Sequence, residues 1–313
     1  MRGLQQLEPA SVPPTYVASM LWSLSRLQYQ APGKLVREML ATMMDTYPPP
    51  IYYRTTHVAT ILSACHRMST PLAPSSVFLL LRLLGRKSNL TPLHAAMAVY
   101  SAAGMFADDP EALATFRKPM GLLVARYAEN TYKKGSDKSV HLPAACMLLH
   151  AHHAMSRVDN TDGLLSPQLL KRLEWVAEGL PVVHAARSPK RLELHDRLHR
   201  GVLQLGLFAE VHGPIRVLSG VDHVDVLGIL PDHTMIAFDI LKPPDVFINA
   251  RKPTNLTGPV MFKKVLMSSP GCCPLVLVPH WRLKYESTVP FVLQQLLLQH
   301  PTAREMLRSA AAQ

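Results

Sequence analysis

The sequence predicts a short α-solenoid followed by a small α/β domain. A helical pattern recurs with a period near 40 residues through the first half. The second half breaks into short β-branched runs divided by Gly, Pro and Asp. With 48% apolar and 18% charged residues, the 313-residue chain has the composition to bury a core, which excludes a disordered or coiled-coil protein. That length suits one large domain or two ordinary ones.

The repeat begins at Tyr16–Leu27, which aligns with His57–Met68; in both, a small residue precedes bulky apolar ones at helical spacing, and an Arg and a large apolar residue close the segment. A weaker third copy runs from His94 to Met105, and a degenerate fourth from Pro143 to Met155. The matched alanines Ala18, Ala59 and Ala96 are 41 and 37 positions apart. Second helices are expected at Leu35–Tyr47, Ser76–Leu84 and Gly121–Asn130, with prolines at the breaks. Two helices per unit at this period is the pattern of stacked helical hairpins, each burying its apolar face against its neighbours. An irregular all-α domain is the alternative.

Ser166 as N-cap, Pro167 at the first position and Gly179 at the end bound a further helix. A basic segment follows, with Arg187, Lys190, Arg191, Arg197 and Arg200. Strands are then expected at Ile215–Leu218, Val224–Ile229, Met235–Ile240 and Leu275–Val278. Helices at Pro259–Met267 and at Pro290–Gln299, the latter capped by Ser287 or Thr288, complete an α/β pattern. The helical repeat domain is therefore assigned to residues 1–200 and the α/β domain to 205–300, with 301–313 as a tail.

Within the second domain, Thr257-Gly258-Pro259-Val260-Met261-Phe262-Lys263-Lys264-Val265-Leu266 precedes a strand ending Val278-Pro279-His280-Trp281. This resembles the RAP domain, which has a Thr-Gly turn, a helix with a basic pair followed by leucines, and a strand running into a Pro-aromatic-Trp motif. Ile236-Ala237-Phe238-Asp239 and Asn255 also sit where that family places an acidic strand and an Asn. The sequence departs from the family at Asp239-Ile240-Leu241-Lys242-Pro243-Pro244 and at His280, where Tyr is commoner. The resemblance spans about residues 205–300. It implies a restriction-endonuclease-like α/β domain behind heptatricopeptide- or octotricopeptide-like helical repeats, in an organellar RNA-binding protein. The mitochondrion is the expected location and the plastid the alternative.

A restriction-like nuclease needs two carboxylates on a divalent metal beside a lysine. Asp225, Asp239 and Lys242 imitate that set. Strand alternation counts against it, since residues three apart point to opposite faces unless the strand ends first. The default is that both carboxylates are strand-end or edge groups. No catalysis, metal or cofactor is therefore assigned. Four cysteines without Cys-x-x-Cys give neither a disulfide framework nor a zinc site of usual spacing, and suit a reducing compartment. His195 and His199 are spaced as in a His-Glu-x-x-His zinc motif, but with Asp196 in place of Glu and no third ligand. That segment is read as a solvated or RNA-facing basic helix, and His150, His152 and His153 as a solvated helix end. There is no phosphate-binding Gly loop, Gly-x-Ser-x-Gly elbow or kinase signature.

Charge supplies the remaining signal. Thirty-three Lys and Arg against 22 Asp and Glu give a net charge of +11 and a pI of about 9.6, which suits a polyanionic partner. Arg251, Lys252, Lys263, Lys264, Arg282 and Lys284 punctuate the α/β domain, and Arg187 to Arg200 line the junction. These cations, with Trp281 as a base-stacking residue, are the candidate RNA contacts; a core position is the commoner fate of such a Trp. Lys133 and Lys134 read as a solvated loop. No apolar run approaches membrane-span length, and Met1–Pro14 resembles neither a signal nor a transit peptide. The expected function is non-catalytic RNA binding. Ribosomal RNA is favoured, as a mitoribosome component or assembly factor among ribosomal or other ribonucleoprotein partners. An RNA-processing nuclease, an mRNA stability factor and a protein–protein scaffold are the alternatives.

Overall fold

The computed structural model describes residues 12–46, 53–70, 72–132, 142–159, 163–178, 189–218, 222–249, 255–268 and 272–310. The chain divides into two compact units, Met1–Val176 with Pro244–Lys263, and Ala177–Pro243 with Lys264–Gln313. The protein is mostly helical, with a small mixed sheet in its C-terminal part.

In the first unit, helices α1 (Pro14–Arg26), α3 (Thr55–Arg67), α5 (Pro92–Met105) and α7 (Leu142–Asp159) correspond to the four copies read in the sequence. Each packs on the next, α1 on α3, α3 on α5 and α5 on α7. Ala18, Ala59 and Ala96, the matched positions, are all buried. The alternate helices are α2 (Gly33–Thr46), α4 (Pro74–Gly85) and α6 (Pro110–Tyr132), with α4 packed on α6. Helix α6 starts eleven residues before the expected Gly121, because Asp109 Oδ1 accepts the Ala112 N–H at 3.0 Å and Pro110 occupies the first position. Helix α8 (Pro167–Glu178) starts as read, with Ser166 Oγ accepting from Leu169 N–H at 3.4 Å.

Residues 244–263 lie inside the stretch assigned from sequence to the α/β domain, yet they cluster with the helices. Their attachments explain this. Helices α1 and α3 each end in a left-handed residue, Gln28 (φ 55°) and Ser69 (φ 48°), one repeat apart. The Gln28 carbonyl accepts from Ile248 N–H at 3.1 Å, and Ser69 Oγ donates to the Leu256 carbonyl at 3.0 Å. The Asn249 side chain bonds Gln30 twice, at 2.8 and 2.9 Å. Helix α10 (Gly258–Met267) then begins so close to α3 that a Cβ on Gly258 would lie 1.7 Å from the His66 carbonyl oxygen. Only glycine fits there.

The second unit holds β1 (Glu210–His212), β4 (Val226–Ile229), β5 (Met235–Leu241) and β6 (Leu275–Pro279) as one sheet in the order β1-β4-β5-β6. The β1–β4 and β4–β5 pairs are antiparallel, while β5 and β6 are parallel. Strands β2 (Ile215–Val217) and β3 (Asp222–Val224) form a separate antiparallel pair. One sheet face, with Val226, Ile236, Phe238, Ile240, Val276 and Val278, is covered by α9 (Pro189–Gln204) and α11 (Val289–Gln299) through Leu198, Val202, Leu293 and Leu297. Each such buried aliphatic side chain stabilises by roughly 1.5–3 kcal/mol. The stretch 301–310, read as tail, folds as α12 (Pro301–Ala310), with Ala303 in the same core. The expected strand Val224–Ile229 is broken at Asp225, where the chain bends.

Candidate nucleic-acid interface

The parallel pair β5–β6 sets the geometry. Leu241 lies opposite Pro279, so both strands end together, and the chain after β6 turns through a short 3₁₀ segment, His280–Leu283. His280 Nδ1–H donates to the Leu241 carbonyl at 3.2 Å, which fixes this turn beside Lys242. The carboxyl ends of parallel strands are where open α/β sheets present their loops. Leu283 is buried and anchors the turn, leaving its neighbours outside.

Those neighbours are Trp281 (38% exposed), Arg282, Lys284 and Tyr285 (62% exposed). The Trp281 ring meets His280 edge-on at 5.1 Å, and Lys284 Nζ stands 5.2 Å from the Tyr285 ring centroid. Two exposed aromatic residues and two exposed cations thus share five consecutive residues, with Lys284 resting over one face of Tyr285. An aromatic face stacks on a base and a cation neutralises a phosphate. Tyr285 was missed in the sequence reading, although the alternation of aromatic and basic residues from Trp281 onward carries it.

The other sequence candidates fall into separate groups. Arg197 bonds the Leu283 and Lys284 carbonyls at 3.1 and 2.5 Å and pairs with Glu193, so it clamps α9 to the turn. Arg200 pairs with Glu286 at 2.8 Å. Both lie at the turn, but as its supports. Lys263 and Lys264 are half-buried on α10. Lys190 and Arg191 belong to the first turn of α9. Arg187, Arg251 and Lys252, like Lys133 and Lys134, lie outside the described residues.

Asp225 is 1% exposed, and its Oδ2 accepts the Ile240 N–H at 2.9 Å. At the bend between β3 and β4 the carboxylate takes the place of a ladder carbonyl, satisfying a buried amide. Asp239 is half-buried on the β5 face it shares with Ala237, and Lys242 follows the strand's end. Among the described residues no three of His, Cys, Asp and Glu come together to hold a metal.

The histidine segments differ from the solvated helices expected. His195 is buried, with Nε2–H donating to the Asp225 carbonyl at 2.6 Å, because the bend leaves that carbonyl outside the ladder. His152 is buried, and its Nδ1 accepts the Leu164 and Leu165 amides at 3.0 and 3.2 Å. His150 packs with Tyr100 and Phe262. Among the described residues no helix is long and apolar enough to cross a membrane. No protein-family model matches the chain, and no curated protein does.

Proposed function

We propose that this protein binds RNA without cleaving it, through the turn Trp281–Tyr285. The observation that carries the reading is the adjacency of two exposed aromatic rings and two exposed cations at the carboxyl ends of β5 and β6. Stacking with phosphate neutralisation binds single-stranded or looped RNA with little sequence preference. The net charge of +11 favours the same class of partner.

The finer reading rests on sequence resemblance. The first unit is taken as a short α-solenoid of tricopeptide-like repeats and the second as a RAP-like, restriction-endonuclease-like domain. An organellar location follows from that resemblance, the mitochondrion before the plastid. Ribosomal RNA is the favoured target: with three to four units the helical domain is short for a reader taking one base per repeat. The protein then works as a mitoribosome component or assembly factor among ribonucleoprotein partners. Binding is preferred to metal-dependent cleavage because Asp225 is 1% exposed and its carboxylate is turned inward to the Ile240 amide.

The test is crosslinking in intact organelles, with sequencing of bound fragments and the protein's position on a density gradient. A single footprint on ribosomal RNA in ribosomal fractions is expected. Messenger footprints in light fractions would replace the ribosomal role with a stability factor. No crosslink would overturn RNA binding and leave a protein scaffold.

A further inference from the structure

The first unit contains a second feature, independent of the Trp281 turn. In the row α1, α3, α5 and α7, α3 and α5 each lie between two neighbours, whereas α1 packs on α3 alone among the described residues of that row. The repeat shows what this omission exposes. In α3, Ile61, Ala64, Cys65 and Met68 are fully buried, and their counterparts Ala98, Ser101 and Ala102 in α5 are buried too. The matching positions of α1 are Met20, Ser23, Leu24 and Leu27. There Met20 and Leu24 are half-buried, Ser23 is exposed and Leu27 is 64% exposed. Tyr16, one turn before Met20, is 67% exposed on the same side. A terminal repeat ordinarily presents a polar outer face; this one presents an apolar face without a charged side chain.

Between that face and α2 lies a groove of about 260 Å³, walled by Met20, Leu24, Tyr29, Leu35 and Met39. Cavities of about 150 Å³ take up a benzene ring, so this groove has room for more than one aliphatic side chain. The charged residues lining it, Lys34 and Glu38, are exposed and pair with each other at 3.7 Å. Its interior is therefore apolar.

Charge selects among occupants. Arg26 and Arg67 hold the same position in adjacent repeats, and burial, then the nearby Arg26, holds the Arg67 guanidinium below its ordinary pKa. Neither arginine has a salt-bridge partner among the described residues. A helix stacked on α1 as α1 is stacked on α3 brings its own equivalent position beside Arg26. An acidic residue there relieves the two like charges. A second copy of this chain instead sets a net charge of +11 against +11, which opposes self-association.

We propose that the Tyr16–Leu27 face of α1 docks an amphipathic helix of an acidic partner protein, seated as a preceding helix of the row would be. Its ridge is apolar with a small residue at the centre, like the buried side of α1, Val17, Ala18, Leu21 and Ser25. One acidic side chain of that helix stands opposite Arg26. Recognition is of the helix-in-groove kind.

The experiment is fluorescence anisotropy of the full chain with two labelled peptides of the Val12–Gln28 sequence, one of them carrying Arg26→Glu. A staple replacing Ser19 and Ser23, both exposed on α1, holds each peptide helical. Both are expected to bind saturably, the Arg26→Glu peptide about threefold or more tightly, the scale of a like pair exchanged for an opposite one. Leu27→Glu in the protein should weaken either peptide by about tenfold or more, the scale of one buried leucine. Tyr16→Ser should act in the same direction. No binding by either peptide, binding untouched by Leu27→Glu, or tighter binding of the arginine peptide would overturn the proposal. Three further results would also overturn it by naming another occupant. A dimer in sedimentation equilibrium that Leu27→Glu abolishes assigns the face to a second copy. Peptide binding that appears only after removal of residues 1–11 assigns it to that segment. Displacement of the peptide by single-stranded RNA assigns it to RNA.

Discussion

Acid should weaken the first unit through His66. The ring is buried, Tyr100 and Phe262 pack its edges, and its pKa is held at about 3 against an ordinary 6.5. The unfolded chain therefore binds a proton that the folded chain refuses between those two values. Stability must rise with pH across that window and fall as pH drops through it. Each pH unit below about 6.5 removes roughly 1.4 kcal/mol, so acidification from about pH 8 to about pH 5 should cost about 2 kcal/mol from this ring. The loss should reach roughly 4 kcal/mol near pH 3. His57, His94, His152 and His300 are also held below their ordinary values, chiefly by burial, and act in the same direction. The share of His66 is thus the difference between the wild type and His66→Gln, which cannot titrate. Native-state hydrogen exchange of α3 and α5 amides, read from about pH 8 to about pH 5, reports this unit. A level wild-type profile, or an identical slope in His66→Gln, would refute the reasoning.

Gln28→Gly should stabilise the first unit by about 0.5–1 kcal/mol, because the residue holds φ 55° at a helix end and contributes its carbonyl rather than its side chain to Ile248; urea titration checks it. Arg282→Ala with Lys284→Ala should lower RNA affinity and flatten the slope of log affinity against log salt by about 1.4–1.8, the loss of two phosphate contacts. Arg197→Ala should instead destabilise the second unit in thermal unfolding, since its guanidinium ties α9 to the Leu283 and Lys284 carbonyls. Trp281→Ala and Tyr285→Ala should each cost about 1–3 kcal/mol in binding to single-stranded RNA with an unchanged salt slope, measured by filter binding across a salt series.

The helical rows were legible because their signal is local. Apolar residues at helical spacing and prolines at the breaks act within a dozen residues, and the alanines simply recur at the repeat period. The longer strands were legible for the same reason, although Val224–Ile229 hid a bend, since nothing in a β-branched run marks an aspartate that turns inward to meet the Ile240 amide. The sequence marks the His195–His199 part of α9 as a solvated basic helix and misses its buried side. Its exposed face carries both signs, with Glu193, Asp196 and Arg200, while its buried face depends on Leu198 and Val202 meeting a sheet formed by later residues. The packing of His66 needs Gly104 and Gly258, which stand 38 and 192 positions further along. Neither glycine is in a left-handed turn that local rules would flag. Only their approach to the ring gives them meaning.

Net charge by itself does not locate an interface. Arg197 and Arg200 sit in the basic junction that the sequence marks as an RNA contact, yet each is committed to a carboxylate, and Arg197 also to two carbonyls. A guanidinium committed in this way releases few counterions, because exchanging its partner for a phosphate sacrifices bonds it already has. Arg282 and Lys284 differ: both are exposed, and neither has a salt-bridge partner among the described residues. Arg197 fixes the backbone that carries these two side chains. Under the proposed RNA binding, the junction arginines would act indirectly, by holding the turn. Charge reversal at Glu286 should then be felt twice, by releasing Arg200 and by adding a cation beside Tyr285. Glu286→Lys is expected to raise RNA affinity and steepen its salt dependence, and a loss of affinity would place the binding surface elsewhere.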